Sequence, residues 1–358
     1  MIDNNLYKIE QGELNSDLIE VGNPVPYVVL VPPDYDPARV KPYPLLLYLH
    51  GGCGTAEEIL AIKPLLELES TPQAPMAQFV AVCFSCCGNH PDNSAGGQYL
   101  DYFDGSQQWD RFAIEALLPL IRQQHHVGDE KTGQVVTVGL SMGGAGALRI
   151  SFRHPELFTA SAALEPHIHG AFSFYELNDH QKAIETPHDG WCQSSKYVGS
   201  GNEYTGKLCA IIRQEAYGNP VNDQHWQSWQ PASMAAKNPE RIKASGLQLY
   251  LECGDRDEFE FNFATEFLHR TLLDLGIEHD YHLLRGVNHY GSDTFNRRLY
   301  NALVFLSIQV IPTTEESSEI IAVQESIDYD ARHRKLAAGY QDQSVEEKYR
   351  GVCGDFLL

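Results

Sequence analysis

Short apolar runs rich in Val, Leu and Tyr recur along this chain, separated by segments whose apolar residues fall at helical spacing. Tyr27-Val28-Val29-Leu30-Val31, between Pro26 and Pro32, reads as an early strand, and Pro44 to Leu49 as a fully buried one ending at His50-Gly51-Gly52. Phe79 to Ser85, Val135 to Leu140, Thr159 to Leu164, Leu247 to Cys253 and Glu278 to Leu284 have the same character. Helices are predicted between them. Arg111 to Gln124 carries Ile114, Leu117, Leu118 and Ile121 on one face, and a helix from about Ala145 to Arg153 is stopped by His154-Pro155. Phe263 to Leu275 ends at Gly276, and Leu299 to Val310 closes the pattern. Strand and helix in alternation predict an α/β architecture, a mostly parallel central sheet with helices on both faces.

Two segments break the alternation. Residues 166–243 are long, aromatic and turn-rich, with Trp191, Trp226 and Trp229 among them. They read as an insertion or cap-like segment over the sheet's C-terminal edge, where such folds seat ligands. Residues 312–358 are polar, with ten acids against five bases, and read as a C-terminal extension of a catalytic domain spanning 1–311. A helix over Asp328 to Ala338 and a partly disordered appendage are both compatible with that composition.

At 358 residues the chain is long enough to bury a sizeable core as one large domain. Its formal charge of −22 argues against nucleic acid and anionic membranes as partners, since both are polyanions. No stretch approaches the ~20 apolar residues of a membrane helix, and residues 1–20 lack the basic-then-apolar pattern of a secretory signal. A cytoplasmic setting is the expectation, with export behind a removed signal as the alternative. Eight cysteines follow no framework spacing, and Cys83, Cys86 and Cys253 fall in or beside strand-like runs where a buried thiol is expected. Reduced thiols fit a cytoplasmic protein; Cys192 and Cys209 would be the pair to bridge in an exported one.

The chemistry sits at the strand ends. Gly139-Leu140-Ser141-Met142-Gly143 fits G-x-S-x-G and follows a predicted strand directly into a helix, the context of a nucleophile elbow. Small residues beside the serine let strand and helix approach, and the helix N-terminus offers free N–H groups to a developing negative charge. His50-Gly51-Gly52-Cys53-Gly54 is an HGG-type loop, so the N–H of Gly52 or Cys53, together with that of Met142, is the expected oxyanion hole. His50 reads as a structural anchor of that loop, and Cys53 as a packed thiol rather than a nucleophile. Cys253-Gly254-Asp255-Arg256-Asp257-Glu258 supplies the acid after a late strand. Asp257 stands at the usual point beyond the turn; Asp255 suits a turn cap and Glu258 suits solvent. His289, in Gly286-Val287-Asn288-His289-Tyr290 after the final strand, is the expected base. The order Ser141, Asp257, His289 is that of an α/β-hydrolase triad.

The elbow Gly-Leu-Ser-Met-Gly-Gly-Ala-Gly-Ala, the Gly-x-x-Asp-Glu-Phe motif and the Asn-His pair resemble the putative-esterase family of α/β-hydrolases. That family includes esterase D, feruloyl and acetyl-xylan esterases and mycolyltransferases, and the resemblance covers roughly Pro24 to Ile311. It implies a serine esterase or an acyltransferase with its triad at Ser141, Asp257 and His289. The segment 167–217 and the tail depart from the family pattern, so no subfamily's substrate carries over. The leading expectation is hydrolysis of a small-molecule carboxylic ester, aryl or of short to medium acyl chain, through an acyl-serine intermediate. An acyltransferase with the same triad and a catalytically silent binding protein on this fold remain the alternatives.

Other constellations are weaker. His167-Ile168-His169 has a metal-ligand spacing without carboxylate or cysteine partners at zinc spacing, so no metal and no cofactor are expected. His125-His126, His180 and His188 add no such partner. His167, Trp226 and Trp229 are candidate substrate-binding residues. The aromatics of the insertion (Phe172, Phe174, Tyr175, Trp191, Trp226 and Trp229) either wall the site or form the insertion's own small core. Gly96-Gly97-Gln98 lacks the strand and helix of a phosphate loop. Oligomeric state is not readable.

Overall fold

A computed structural model of the protein describes residues 6–52, 54–71, 73–86, 97–128, 134–177, 216–257, 259–289 and 294–311. The chain divides into two compact units, Met1–Ser70 with Met76–Val310, and Thr71–Pro75 with Ile311–Leu358. Nearly all described residues belong to the first unit, whose fold follows.

Eight strands form one sheet in the order β1-β2-β4-β3-β5-β6-β7-β8. They are β1 (Lys8–Leu14), β2 (Val25–Val31), β3 (Leu45–Leu49), β4 (Val80–Phe84), β5 (Val135–Leu140), β6 (Ala160–Leu164), β7 (Gln248–Gly254) and β8 (Asp280–Leu284). The first two run antiparallel, β1 to β2 and β2 to β4, while β4 through β8 are parallel. This is the mixed, mostly parallel sheet the alternating pattern predicts. Every residue of β3, β4 and β6 is buried, as continuous apolar runs in a sheet covered on both faces must be.

The helix Met142–Arg153 packs on β3, β5 and β6, and the helix Phe295–Val310 on β5, β6 and β7. Predicted elements recur within a few residues of their expected ends, with two informative differences. The helix placed at 111–124 begins at Trp109 and opens into a wider π turn over Phe112–Leu117 before resuming at Leu118–Gln124. That widening directly precedes Pro119, whose ring lacks an N–H and crowds the carbonyl four residues earlier in an ordinary α-helix. The polar N-terminus also contains a strand, β1, whose exposed and half-buried residues alternate along the sheet's edge.

The segment 166–243 is more regular than its turn-rich composition suggests. Its described parts include the helices Asp223–Ser228, Pro231–Lys237 and Pro239–Ser245, two of them opened by proline in the first turn. Trp226, Trp229, Ala232 and Ala235 join the same core as the elbow helix and the strands beneath it. The buried Arg149 guanidinium fastens this segment to the elbow helix, donating to the Trp229 carbonyl at 2.9 Å and the Gln98 carbonyl at 2.8 Å. Trp191, Cys192, Cys209, His180, His188 and the proposed tail helix lie outside the described residues. Among the described residues Cys83, Cys86 and Cys253 are buried, and no helix is long and apolar enough to cross a membrane.

Candidate functional site

β5 delivers Ser141 to a sharp corner. The serine has φ 56° and ψ −116°, a left-handed conformation that an L-residue adopts only under constraint, and Met142 begins the helix immediately after it. Small residues make the corner passable. A Cβ on Gly143 would run into the Leu49 and His50 carbonyl oxygens, and one on Gly139 into the Gly143 backbone. The corner is held from below by the Ser141 N–H, which donates to the Leu164 carbonyl at 2.9 Å. The His167 N–H returns a bond to the Ser141 carbonyl, also at 2.9 Å.

Loops from β7 and β8 complete the array. The His289 imidazole lies with Nε2 2.9 Å from Ser141 Oγ and Nδ1 2.6 Å from Asp257 Oδ2. Asp257 and His289 are both buried, whereas Ser141 is partly exposed, so the chain of polar contacts opens to solvent at the hydroxyl end. Burial pushes the Asp257 carboxyl upward, but hydrogen bonding and charge from His289, with the Phe259 N–H, hold it below the usual aspartate value. The nitrogen facing Asp257 is therefore the protonated one, which leaves Nε2 as the acceptor for the serine proton. Phe259 and Phe261 flank the imidazole edge-on, with centroids 4.8 and 5.4 Å away.

The two competing acids separate by geometry. Asp255 accepts the Gly286 N–H at 2.6 Å, tying the β7 turn to the β8 turn, in keeping with a capping role. Glu258 lies outside the described residues. His50 is wholly buried, accepts the Cys86 N–H at Nε2 and donates from Nδ1 to the Gly51 carbonyl, which fixes the glycine loop. Burial lowers its pKa to about 4, so it stays neutral. Gly52 and Met142 are described and Cys53 is not; Gly52 is exposed, with open space where a side chain would stand.

The substrate-binding expectations need correction. Trp226 and Trp229 are 0% and 2% exposed and sit within the packed core, so neither presents a face to a ligand. Trp226 packs against His169 and Phe174, and Trp229 carries the Arg153 guanidinium 4.1 Å over its ring. Among the described aromatics, Phe174, Trp226 and Trp229 thus belong to the common core. Phe172 and Tyr175 are exposed. His167 is nearer the chemistry, its backbone bound to Ser141 and its ring stacked 4.7 Å from Phe261.

A buried ionic cluster lies behind the array, outside the residues expected from the sequence. Glu165, directly after β6, accepts from Arg298 Nη2 at 2.6 Å and from the Gly254 N–H at 3.0 Å, while Glu252 accepts from Arg298 Nε at 2.5 Å. A donor atom from each of Glu165, Asp257 and His289 lies within 4.8 Å of the others, a spacing open to a cation. Hydrogen bonds already occupy that space: His289 Nδ1 faces Asp257, and Arg298 supplies the positive charge opposite Glu165. A signal existed in the sequence, since Glu252 interrupts the apolar run of β7 and Arg298 lies among the apolar positions of its helix.

A family model described as "Putative esterase" matches residues 20–306. No protein of curated function matches the sequence. Among solved structures, a ferulic acid esterase superposes with a TM-score of 0.61 at 19% identity, covering 86% of this chain and 99% of its own. An S-formylglutathione hydrolase from Agrobacterium tumefaciens gives 0.56 at 16% identity, covering 86% and 97%. FphF, a fluorophosphonate-binding serine hydrolase of Staphylococcus aureus, gives 0.56 at 12%, covering 84% and 99%. At these identities the superpositions speak to the fold, that of the α/β-hydrolase esterases.

Proposed function

The chain belongs to the esterase family whose model it matches and is a carboxylic-ester hydrolase, and on that premise we propose that Ser141, His289 and Asp257 are its catalytic triad. The observation that carries this reading is the polar chain from Ser141 Oγ through His289 to Asp257, anchored at a serine strained between β5 and a helix. In the proposed reaction Ser141 Oγ attacks the ester carbonyl as His289 Nε2 takes its proton. The tetrahedral oxygen draws on the Met142 N–H at the helix start and on the Gly52 or Cys53 N–H of the glycine loop. Collapse expels the alcohol, which takes the proton back from His289. Water then attacks the acyl-serine with His289 again as base. Asp257 keeps the imidazole in the required tautomer and balances the imidazolium charge throughout. Small aryl or short to medium acyl esters are the proposed substrates.

The test is turnover of p-nitrophenyl esters from acetate to octanoate, with a feruloyl ester, beside labelling by a fluorophosphonate probe. Both should be lost in Ser141→Ala. Serine-dependent transfer to an added alcohol at the expense of hydrolysis would point to an acyltransferase. A folded wild-type protein that neither labels nor turns over any ester would defeat the proposal.

A further inference from the structure

Glu165 is a carboxylic acid that the proposed reaction does not use, yet it is fully buried beside the residues that carry it. Its position is built rather than incidental. It leaves β6 at φ 44°, an unfavourable conformation for a non-glycine residue, and its N–H is fixed by the Glu252 carbonyl at 2.8 Å. The charged and titratable groups facing it come from every neighbouring element. Glu252 and Cys253 stand on β7, Asp257 on the loop beyond it, His289 on the loop after β8, and Arg298 on the closing helix. The Cys253 thiol donates to Glu165 Oε2 and lies 4.0 Å from Asp257 Oδ2, beside the direct contact between the two acids.

Counting charge in this cluster decides its protonation. Glu165, Glu252 and Asp257 are three carboxyl groups, and Arg298 is the one fixed cation among them. Were all three ionised with His289 neutral, two uncompensated negative charges would share a buried space, which is costly. Glu252 is bound by the Arg298 Nε and by the Tyr250 hydroxyl at 2.7 Å, and Asp257 by His289 and the Phe259 and Phe261 N–H groups. Glu165 likewise accepts from Arg298, the Gly254 N–H and the Cys253 thiol, but its carboxyl is also in side-chain hydrogen-bond contact with Asp257, and two carboxyl groups share such a bond only when one carries a proton. Asp257 already accepts from His289 and two backbone N–H groups, so the proton of that bond falls to Glu165.

We propose that Glu165 is a positioning residue for the triad: a buried acid that stays protonated at neutral pH and leaves Asp257 as the single anion facing His289. This inference rests on the triad reading above. Burial pushes the Glu165 carboxyl up to about 8, with Arg298 pulling it back and Asp257 adding to the rise. When it ionises, its proton goes to solvent and a second negative charge appears within 4.8 Å of the His289 ring. A second anion there stabilises the imidazolium that forms during attack. The rate therefore gains a step on the alkaline side.

The experiment is kcat/KM for p-nitrophenyl acetate against pH in wild type, Glu165→Gln and Ser141→Ala, with infrared spectra of wild type across the same range. The expected wild-type profile has a severalfold rise near pH 8. The infrared spectrum should lose the band of a neutral buried carboxyl in the same interval. Glu165→Gln, neutral at every pH, should lose both the upper rise and the band. Should Glu165→Gln not fold, Glu165→Asp serves, with rise and band displaced together along the pH axis. Serine-dependent turnover with no upper rise, or a rise that persists in Glu165→Gln, overturns the proposal and leaves the triad standing. Absence of serine-dependent turnover would strike the triad instead, and the infrared band would still judge the protonation of Glu165.

Discussion

Asp257 and His289 are 32 residues apart in the chain and 2.6 Å apart in space, carboxylate Oδ2 against imidazole Nδ1. Two parallel neighbours, β7 and β8, make that possible, because both end on the same side of the sheet and release their loops together. Asp255 strengthens the arrangement by accepting the Gly286 N–H, so the turn that carries Asp257 also grips the turn that carries His289.

These contacts assign different penalties to two neighbouring aspartates. Asp257→Asn should lower kcat on the order of 10^4-fold with little change in melting temperature, because the amide favours the wrong imidazole tautomer. Asp255→Asn keeps a side-chain oxygen that can accept the Gly286 N–H, and its loss should stay within about tenfold, as expected of a turn contact worth about 1 kcal/mol. Steady-state kinetics on both variants checks this. The reverse ranking would transfer the role of triad acid to Asp255.

The strand and helix pattern was legible because buried parallel strands and amphipathic helices write their period directly into the sequence. Ser141 and His289 were legible for a related reason, since each stands among glycines at the end of an apolar run. β1 was not, because an edge strand with one wet face carries polar residues and lacks a continuous apolar run. Trp226 and Trp229 misled because a tryptophan's size suits a pocket wall and a core equally; only three-dimensional packing distinguishes them. Glu165 was invisible for the opposite reason: it is not unusual in sequence, and although Arg298 stands out on its helix, the pairing of the two spans 133 residues.

The packing of Trp226 carries a stability prediction. Truncating a fully buried tryptophan removes its contacts and leaves a cavity, costing about 3–5 kcal/mol. Trp226→Ala should thus lower the melting temperature by several degrees or more, while Trp226→Phe recovers much of the loss. If the ring contacted substrate instead, Trp226→Phe would raise KM for bulky esters at unchanged melting temperature. Thermal denaturation set beside KM across the acyl series distinguishes the two.

His50 predicts how stability responds to acid. Its pKa is about 4 in the folded protein, against about 6.5 in an unfolded chain. Between those values the unfolded state binds the proton and the native state does not, so stability falls as pH drops from about 6.5 toward 4 and levels below that. The native-state cost is the burial of a ring whose two nitrogens are already committed to the Gly51 carbonyl and the Cys86 N–H. Urea unfolding at a series of pH values should show this decline. A flat response across the window would mean that the His50 ring is reached by water.

Gly254 carries a tight geometric constraint outside the elbow. Its N–H bonds Glu165, and a Cβ placed on it would collide with the backbone carbonyl of Val287. No side chain can rotate away to relieve that contact, so Gly254→Ala must push the β8 loop outward. Val287 is two residues before His289 in that loop, and Asp257 is three residues beyond Gly254. The displacement therefore falls on the acid–base contact itself, where a shift of about 1 Å costs on the order of 10^2-fold in rate. The expected outcome is a folded protein with kcat reduced by at least that factor and fluorophosphonate labelling slowed in parallel, since both depend on His289 reaching Ser141. Gly52→Ala is the control for the glycine loop: open space surrounds its Cβ position, so the fold should be unaffected. If Gly254→Ala labels at the wild-type rate, the β7 and β8 loops are more compliant than this contact implies, and the position of His289 is set from the helix side instead.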